Sequence, residues 1–315
     1  MRFQYILFLL AGLCLLVPLS CKKDDDSTTT TPSLSGAYFT LPSFGRVGQT
    51  FTLNQIGTIV ASDGTDPGEL KTWWILDSDT LKTPSFTPIA TGLFTVKCSV
   101  SASGYYSSAL TRTIRIIDPS FEKTVTNTGI STTDPSIKDD RETLSGESRY
   151  FFVPLQNLLW FRNNLAYTGS GIAYELSDVT SYPLGRFYTW EEAMAACPEG
   201  WRLPTLEEFE ALGNVSGDLM ADVSMEGSKL WEFWPDVKIT NSVGFSAIPS
   251  GYAIRGEDTA PAFHGFGTYA AFWTATPNPE DDTQALYRYI FVQDNDVKTA
   301  SGDKASLGLS VRCVR

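Results

Sequence analysis

The side chains with the most reactive chemistry in this chain are five cysteines and a single histidine, His264. A histidine-based zinc site or a haem with paired histidine ligands needs more than one imidazole, so both are excluded. Cys14 and Cys21 lie in and just after an apolar N-terminal run, whereas Cys98, Cys197 and Cys313 belong to the body of the chain. Cys98 alternates with Phe94, Val96 and Val100, and the opposing stretch offers Phe51 and Leu53 instead of a second cysteine. It reads as a buried, unpaired thiol. Cys197 and Cys313 keep two readings at this point, a disulfide or two free thiols. The carboxylate pairs Glu191-Glu192 and Glu207-Glu208 are of the type a glycosidase would need. Each falls at a predicted helix start, where an acid facing water suits the dipole. His264, within Phe263-His264-Gly265-Phe266-Gly267, has no acid-and-base partner set, and Gly244–Ile248 lacks the second glycine of a nucleophile elbow. No catalytic residue and no cofactor is expected, and the protein is read as a non-enzyme.

What remains is an aromatic load of 13% of residues. Trp160, Trp190 and Trp201 are expected in a core. Trp231, Trp234, Tyr252, His264, Phe266 and Tyr269 fall in a loop-rich stretch and are the candidate ligand-binding residues. Flat rings with a polar tip serve both sugar stacking and protein hot spots.

The elements that must position these groups begin with a leader. Residues 1–20 open on Met1-Arg2 and continue through Ile6–Leu10 and Leu13 to Val17, which predicts a secretory signal peptide too short for a comfortable membrane span. Leu19-Ser20-Cys21 resembles a bacterial lipoprotein cleavage site, with Pro18 standing where such sites carry leucine. That resemblance implies lipidation of Cys21, and several acyl chains on one residue anchor durably. Lys22-Lys23-Asp24-Asp25-Asp26 resembles the tether that sends Bacteroidetes-type lipoproteins to the outer face of the outer membrane. Residues 21–33 are therefore a lipidated flexible tether. The expected location is the outer membrane, facing the cell exterior. With 24 basic against 36 acidic residues and no basic cluster, nucleic-acid binding is excluded.

Residues 34–118 show alternating apolar runs and frequent turn signals such as Asp63-Gly64 and Asp66-Pro67-Gly68, which predict an all-β sandwich. Trp73–Leu76 reads as a buried strand, with Trp73 or Trp74 the core tryptophan. The run Gly92–Val96 followed by Gly104-Tyr105-Tyr106 resembles immunoglobulin-like or PKD-like modules, which implies a spacer. In residues 119–315 two helices are predicted. Thr189 with Glu192 and Thr205 with Glu208 form capping boxes, and Trp190, Ala193, Met194 and Cys197 make an apolar stripe. Short strands are predicted over 244–248, 271–274, 287–292 and 309–314.

Trp160–Tyr167, Gly185–Trp190, Cys197–Thr205, Phe272–Thr274 and Ser310–Cys313, in that order, resemble the Fibrobacter succinogenes major paralogous domain. That family is similar to C-type lectin-like folds and, more distantly, to formylglycine-generating enzymes. The resemblance implies an α+β lectin-like domain after the immunoglobulin-like sandwich, and a long disulfide between Cys197 and Cys313. Extracellular location permits such a bond. The calcium cage of C-type lectins is not reproduced by Thr276-Pro277-Asn278 or Asp294-Asn295-Asp296, so calcium is not expected. A third reading, an oxidase of the formylglycine-generating type, would need Cys197 and Cys313 both free to hold copper. The leading expectation is a surface-displayed binding or adhesion module for a glycan or protein ligand. The alternative is a structural component of a surface or fimbrial assembly.

Overall fold

Side-chain alternation governs the first unit. In the computed structural model, which describes residues 30–118, 120–141, 149–232, 237–256 and 259–315, the chain is mostly β and divided among many small sheets. The leader, Cys21 and Trp234 lie outside the described residues. Gly92–Ser101 and Ser108–Ile117 form the longest antiparallel pair, from Gly92↔Ile116 to Val100↔Ser108. Lys71–Leu76 joins the free side of Gly92–Ser101, and Phe44–Arg46 pairs in parallel with the far end of Ser108–Ile117. A period of two places Val96, Cys98, Val100, Ile114 and Ile116 on one face. They are buried there against Phe39, Phe51, Leu53 and Phe86.

Trp74 is the core tryptophan, edge-on to Phe39 at 5.1 Å. The expected buried strand at Trp73–Leu76 is instead half-solvated. Its pleat turns Trp73 outward, where it stays 37% exposed. Cys98 is buried and free, and burial pushes its thiol pKa up.

In the second unit both capping boxes form, starting the helices Trp190–Ala196 and Leu206–Glu210. Each threonine hydroxyl accepts from the third helical N–H, and each glutamate reaches back to the threonine N–H. The apolar stripe is rotated from its expected position. Ala193 and Ala196 are buried, whereas Met194 is 47% exposed. Gly244–Ile248 is not a strand either. Gly244 and Ser246 both have positive φ, which breaks extended pairing, and Ala247 makes only an isolated bridge to Met220. The predicted strand 271–274 falls within Tyr269–Pro277 and 287–292 overlaps Gln284–Phe291, with Lys298–Asp303 completing a three-stranded antiparallel sheet.

The C-terminal segment departs from a simple last strand. After the short strand Leu307–Gly308 it makes single bridges to several neighbours: Leu309 to Tyr188, Ser310 to Phe272, and Val314 to both Trp160 and Arg202. Beside it, Phe209 and Phe245 pack edge to face or tilted on each other and on both Trp160 and Phe272, with ring centres within 5.9 Å. Cys313 in this segment is disulfide-bonded to Cys197 at the C-cap of the first capped helix, across a sequence separation of 116.

The two units share packing. Phe44, from the first unit's parallel strand, meets Tyr174 at 5.8 Å and Phe266 at 5.9 Å, and Ile117 is buried in the same cluster. Ser43 N donates to Glu175 Oε2 at 3.2 Å, and Arg115 Nη1 donates to the Met225 carbonyl at 3.2 Å.

Candidate functional site: a tyrosine surface

The strand Tyr269–Pro277 points Tyr269, Ala271 and Trp273 to one face. Its antiparallel partner places Phe291, Tyr289 and Tyr287 directly opposite them. Tyr269 stacks on Phe291 at 4.7 Å and lies 6.0 Å from Tyr289, which is 5.9 Å from Tyr287. Trp273, fully buried, donates Nε1–H to the Tyr188 carbonyl at 2.8 Å and meets Tyr287 edge-on at 5.8 Å. It anchors the row from beneath.

A second small sheet brings the remaining rings. Tyr252 pairs with His264 across the hairpin of Tyr252–Ile254 and Ala262–His264. Tyr252 lies 5.4 Å from the His264 ring and 5.9 Å, edge-on, from Tyr269. Gly265 makes this approach possible: its φ is +70°, and an added Cβ would come within 2.9 Å of the Tyr269 ring. At the opposite end, a Cβ on Gly302 would strike the Leu307 side chain at 2.3 Å and crowd Tyr287.

Tyr252, Tyr269, Tyr287 and Tyr289 thus form a half-buried surface, with His264 and Ile254 exposed at its margin. No described residue hydrogen bonds to the four phenolic oxygens. Burial, then the neighbouring phenols, pushes the pKa of Tyr269 and Tyr287 up, so both remain neutral donors and acceptors. Lys298 lies across from Tyr289 and is held by Asp294 at 3.3 Å and Asp296 at 3.4 Å. Such a surface can stack on the C–H face of a sugar and hydrogen bond to its hydroxyls at little entropic cost.

Three of the candidate residues, Tyr252, His264 and Tyr269, therefore meet in one place. Trp231 does not: it is 2% exposed and donates Nε1–H to the Ala221 carbonyl at 3.0 Å, so it is a core ring. Phe266 faces the first unit, packed on Phe44 and on Tyr174 at 5.0 Å, which removes it from any ligand surface. Tyr287, Tyr289 and Phe291 were not among the candidates. Their alternation with Arg288 and Ile290 is a readable strand signal, but nothing in the spacing says which face is left open.

Two of the carboxylates weighed for catalysis have structural duties. Glu192 completes its capping box and pairs with Arg255 at 2.5 Å, and Glu208 does the same with Arg202 at 2.6 Å. These two glutamates are partly buried pairs, not free charges facing water. Burial raises the Glu192 pKa, but the Thr189 N–H and Arg255 outweigh it and hold the carboxyl below its ordinary value. Arg202, ahead of a smaller effect of burial, does so for Glu208. With Cys197 and Cys313 joined, no free thiol pair is left among the described residues for copper-dependent oxidation. Among the described residues no group of three or more His, Cys, Asp or Glu is placed to hold a metal. A cleft of about 390 Å³ lies elsewhere, beside Arg162 and Asn241. Arg162 there is committed to Gly244 O, Asp134, Gly129 O and Ser246 Oγ at 2.7–3.0 Å.

No curated protein matches this chain. One similar solved structure is described as the basis for the promiscuous specificity of carbohydrate-binding modules from the β-sandwich superfamily. It is 10% identical over 90% of this chain and 92% of that one, with a TM-score of 0.30, too low to carry an argument. The family comparison is of a different kind. Residues 153–315, just over half of the chain, match the model described as the Fibrobacter succinogenes major domain. That stretch contains the ring core around Trp160, both capped helices, the Cys197–Cys313 bond and the whole tyrosine surface. The chain belongs to the Fibrobacter succinogenes major domain family.

Proposed function

We propose that this protein is a non-enzymatic binding module, lipid-anchored through Cys21 to the outer membrane and displayed to the cell exterior. Its C-type lectin-like head recognises a glycan through Tyr252, Tyr269, Tyr287 and Tyr289. The observation that carries this reading is the set of neighbouring phenols, half-exposed on one face, whose hydroxyls no described residue engages. Calcium has no part in it, and the immunoglobulin-like unit holds the head away from the membrane. The test is a glycan array probed with soluble residues 22–315, with and without calcium. Saturable binding is expected in both conditions, weakened about 5- to 150-fold by Tyr269→Ala or Tyr289→Ala, since each removes about 1–3 kcal/mol of stacking and hydrogen bonding. An empty array, or binding that ignores both substitutions, would overturn the reading.

A second reading is favoured by one observation. Lys298–Asp303 is an edge strand with no described partner on its outer side. An open edge is a template for pairing with another chain, which suits a component of a surface or fimbrial assembly. Self-association or capture of a subunit that is abolished by Ala300→Pro, with glycan binding absent, would select this reading.

A further inference from the structure

The first unit holds a cleft of about 380 Å³, on the small side for a ligand site, at the edge of its main sheet. The strand Lys71–Leu76 is paired along its whole length on one side, but on the other the ladder covers only Ile75 and Leu76, opposite Thr80 and Asp79, with one further bond to Trp74. Beyond them the edge opens, and the exposed Trp73 lines the gap with Asn54, Gln55, Thr72, Lys82 and Thr83.

Both walls are fixed. Leu53 N donates to the Pro84 carbonyl at 2.8 Å, tying the segment before Asn54 to the segment after Thr83. Leu81 N donates to the Trp74 carbonyl at 2.8 Å, which secures the floor. Gln55 spends its amide nitrogen on the carbonyls of Gly36 and Gly57, so its Oε1 is oriented and left as an acceptor. Asn54 and the Trp73 indole N–H have no hydrogen-bond partner among the described residues.

We infer that this cleft is a second saccharide site, separate from the tyrosine surface and independent of whether that surface binds a glycan. The chemistry favours a sugar over an apolar ligand or a metal. One flat ring offers a stacking face. Around it are amides and hydroxyls of both hydrogen-bonding senses, one cation and no carboxylate. Neutral sugars fit this lining, and a uronic acid would add an ion pair with Lys82. An outward tryptophan in a unit whose core already has Trp74 has no packing duty that explains its exposure.

The test uses soluble residues 22–315 labelled with ¹⁵N at the tryptophan indoles, the Trp73 signal being assigned by its loss in Trp73→Phe. The probes are neutral gluco-, manno-, galacto- and xylo-hexaoses and an oligouronate. The expected result is a saturable shift of the Trp73 signal with at least one probe. The shift should persist in a Tyr269→Ala/Tyr289→Ala double variant, and the affinity should fall about tenfold in Asn54→Ala, the loss of one good hydrogen bond. Three results would overturn it: a Trp73 signal that no saccharide moves, a shift that vanishes in the double variant, or movement by an extended peptide alone. The last would assign the open edge to strand pairing. A double variant that had simply unfolded would lose the dispersed indole spectrum, so Tyr269→Phe/Tyr289→Phe serves as its folded counterpart.

Discussion

At the scale of single residues, Arg312 is the most demanding side chain in the head. It is fully buried and pairs with no carboxylate among the described residues. Its charge is instead solvated by oxygen and by rings. Nε donates to Asn164 Oδ1 at 2.7 Å, and the two Nη atoms donate to the carbonyls of Phe161, Phe245 and Ser246 at 2.8–3.1 Å. The guanidinium lies 4.7 Å from the Phe245 ring centre and 5.5 Å from that of Phe272. Burial, with a smaller push from Arg162, lowers its pKa well below the usual arginine value. The non-strand path of Gly244–Ile248 now has a reason, because it turns two carbonyls inward towards this fork. Lysine cannot reproduce a planar set of donors. Arg312→Lys is expected to cost about 2–4 kcal/mol by leaving buried acceptors unmet, measured as a lower urea midpoint at unchanged slope. A change of under about 0.5 kcal/mol would refute the assigned role.

At the scale of elements, the two short helices depend on their first turns. A five-residue helix such as Leu206–Glu210 has little stability of its own. Thr205 and Glu208 satisfy its free N–H groups, and Arg202 holds Glu208 in place. Thr205→Ala is expected to cost about 1 kcal/mol. The lowered Glu208 pKa sets the sign with pH. A carboxyl whose folded pKa lies below its ordinary value of 4.5 stabilises the fold fully above that value. That contribution disappears as pH falls through the lowered folded value. Wild type and Glu208→Gln should therefore differ most at neutral pH and converge in acid, as read by thermal melts across a pH series. A gap that widened in acid would contradict the pairing. The capping boxes were fully legible because their signal is local, a Thr and a Glu three residues apart. The helix face was not. Met194 fits the stripe, but a seven-residue helix has room to bury only one narrow face, and tertiary packing selected Ala193 and Ala196.

At the scale of the whole molecule, the two units are joined by more than a linker. Phe44 and Ile117, both within the stretch read as the spacer, are buried with the head's own core. Phe44→Ala should remove about 3 kcal/mol of packing at this junction and separate one unfolding transition into two. Calorimetry would show it, and a single unsplit transition in the variant would show that Phe44 does not carry the coupling. The same contact bears on ligand binding, because Phe266 reaches back to Phe44 from two residues beyond His264.

The sequence by itself determined whatever rests on neighbours in the chain. The capped helix starts, the period-two strands and the family blocks are local patterns with local physical causes. The buried free thiol at Cys98 also followed, because strand alternation decides the face and the opposing residues exclude a partner. Tertiary structure alone decided which aromatic rings meet water. Trp231 and Tyr269 look alike as ligand-binding candidates, yet one ends in the core and the other on a surface assembled from strands of two sheets. Exposure is a property of what packs above a residue. For Tyr252, Tyr269, Tyr287 and Tyr289 that depends on two small sheets and on where Gly265 and Gly302 let them approach, which no single stretch of chain encodes.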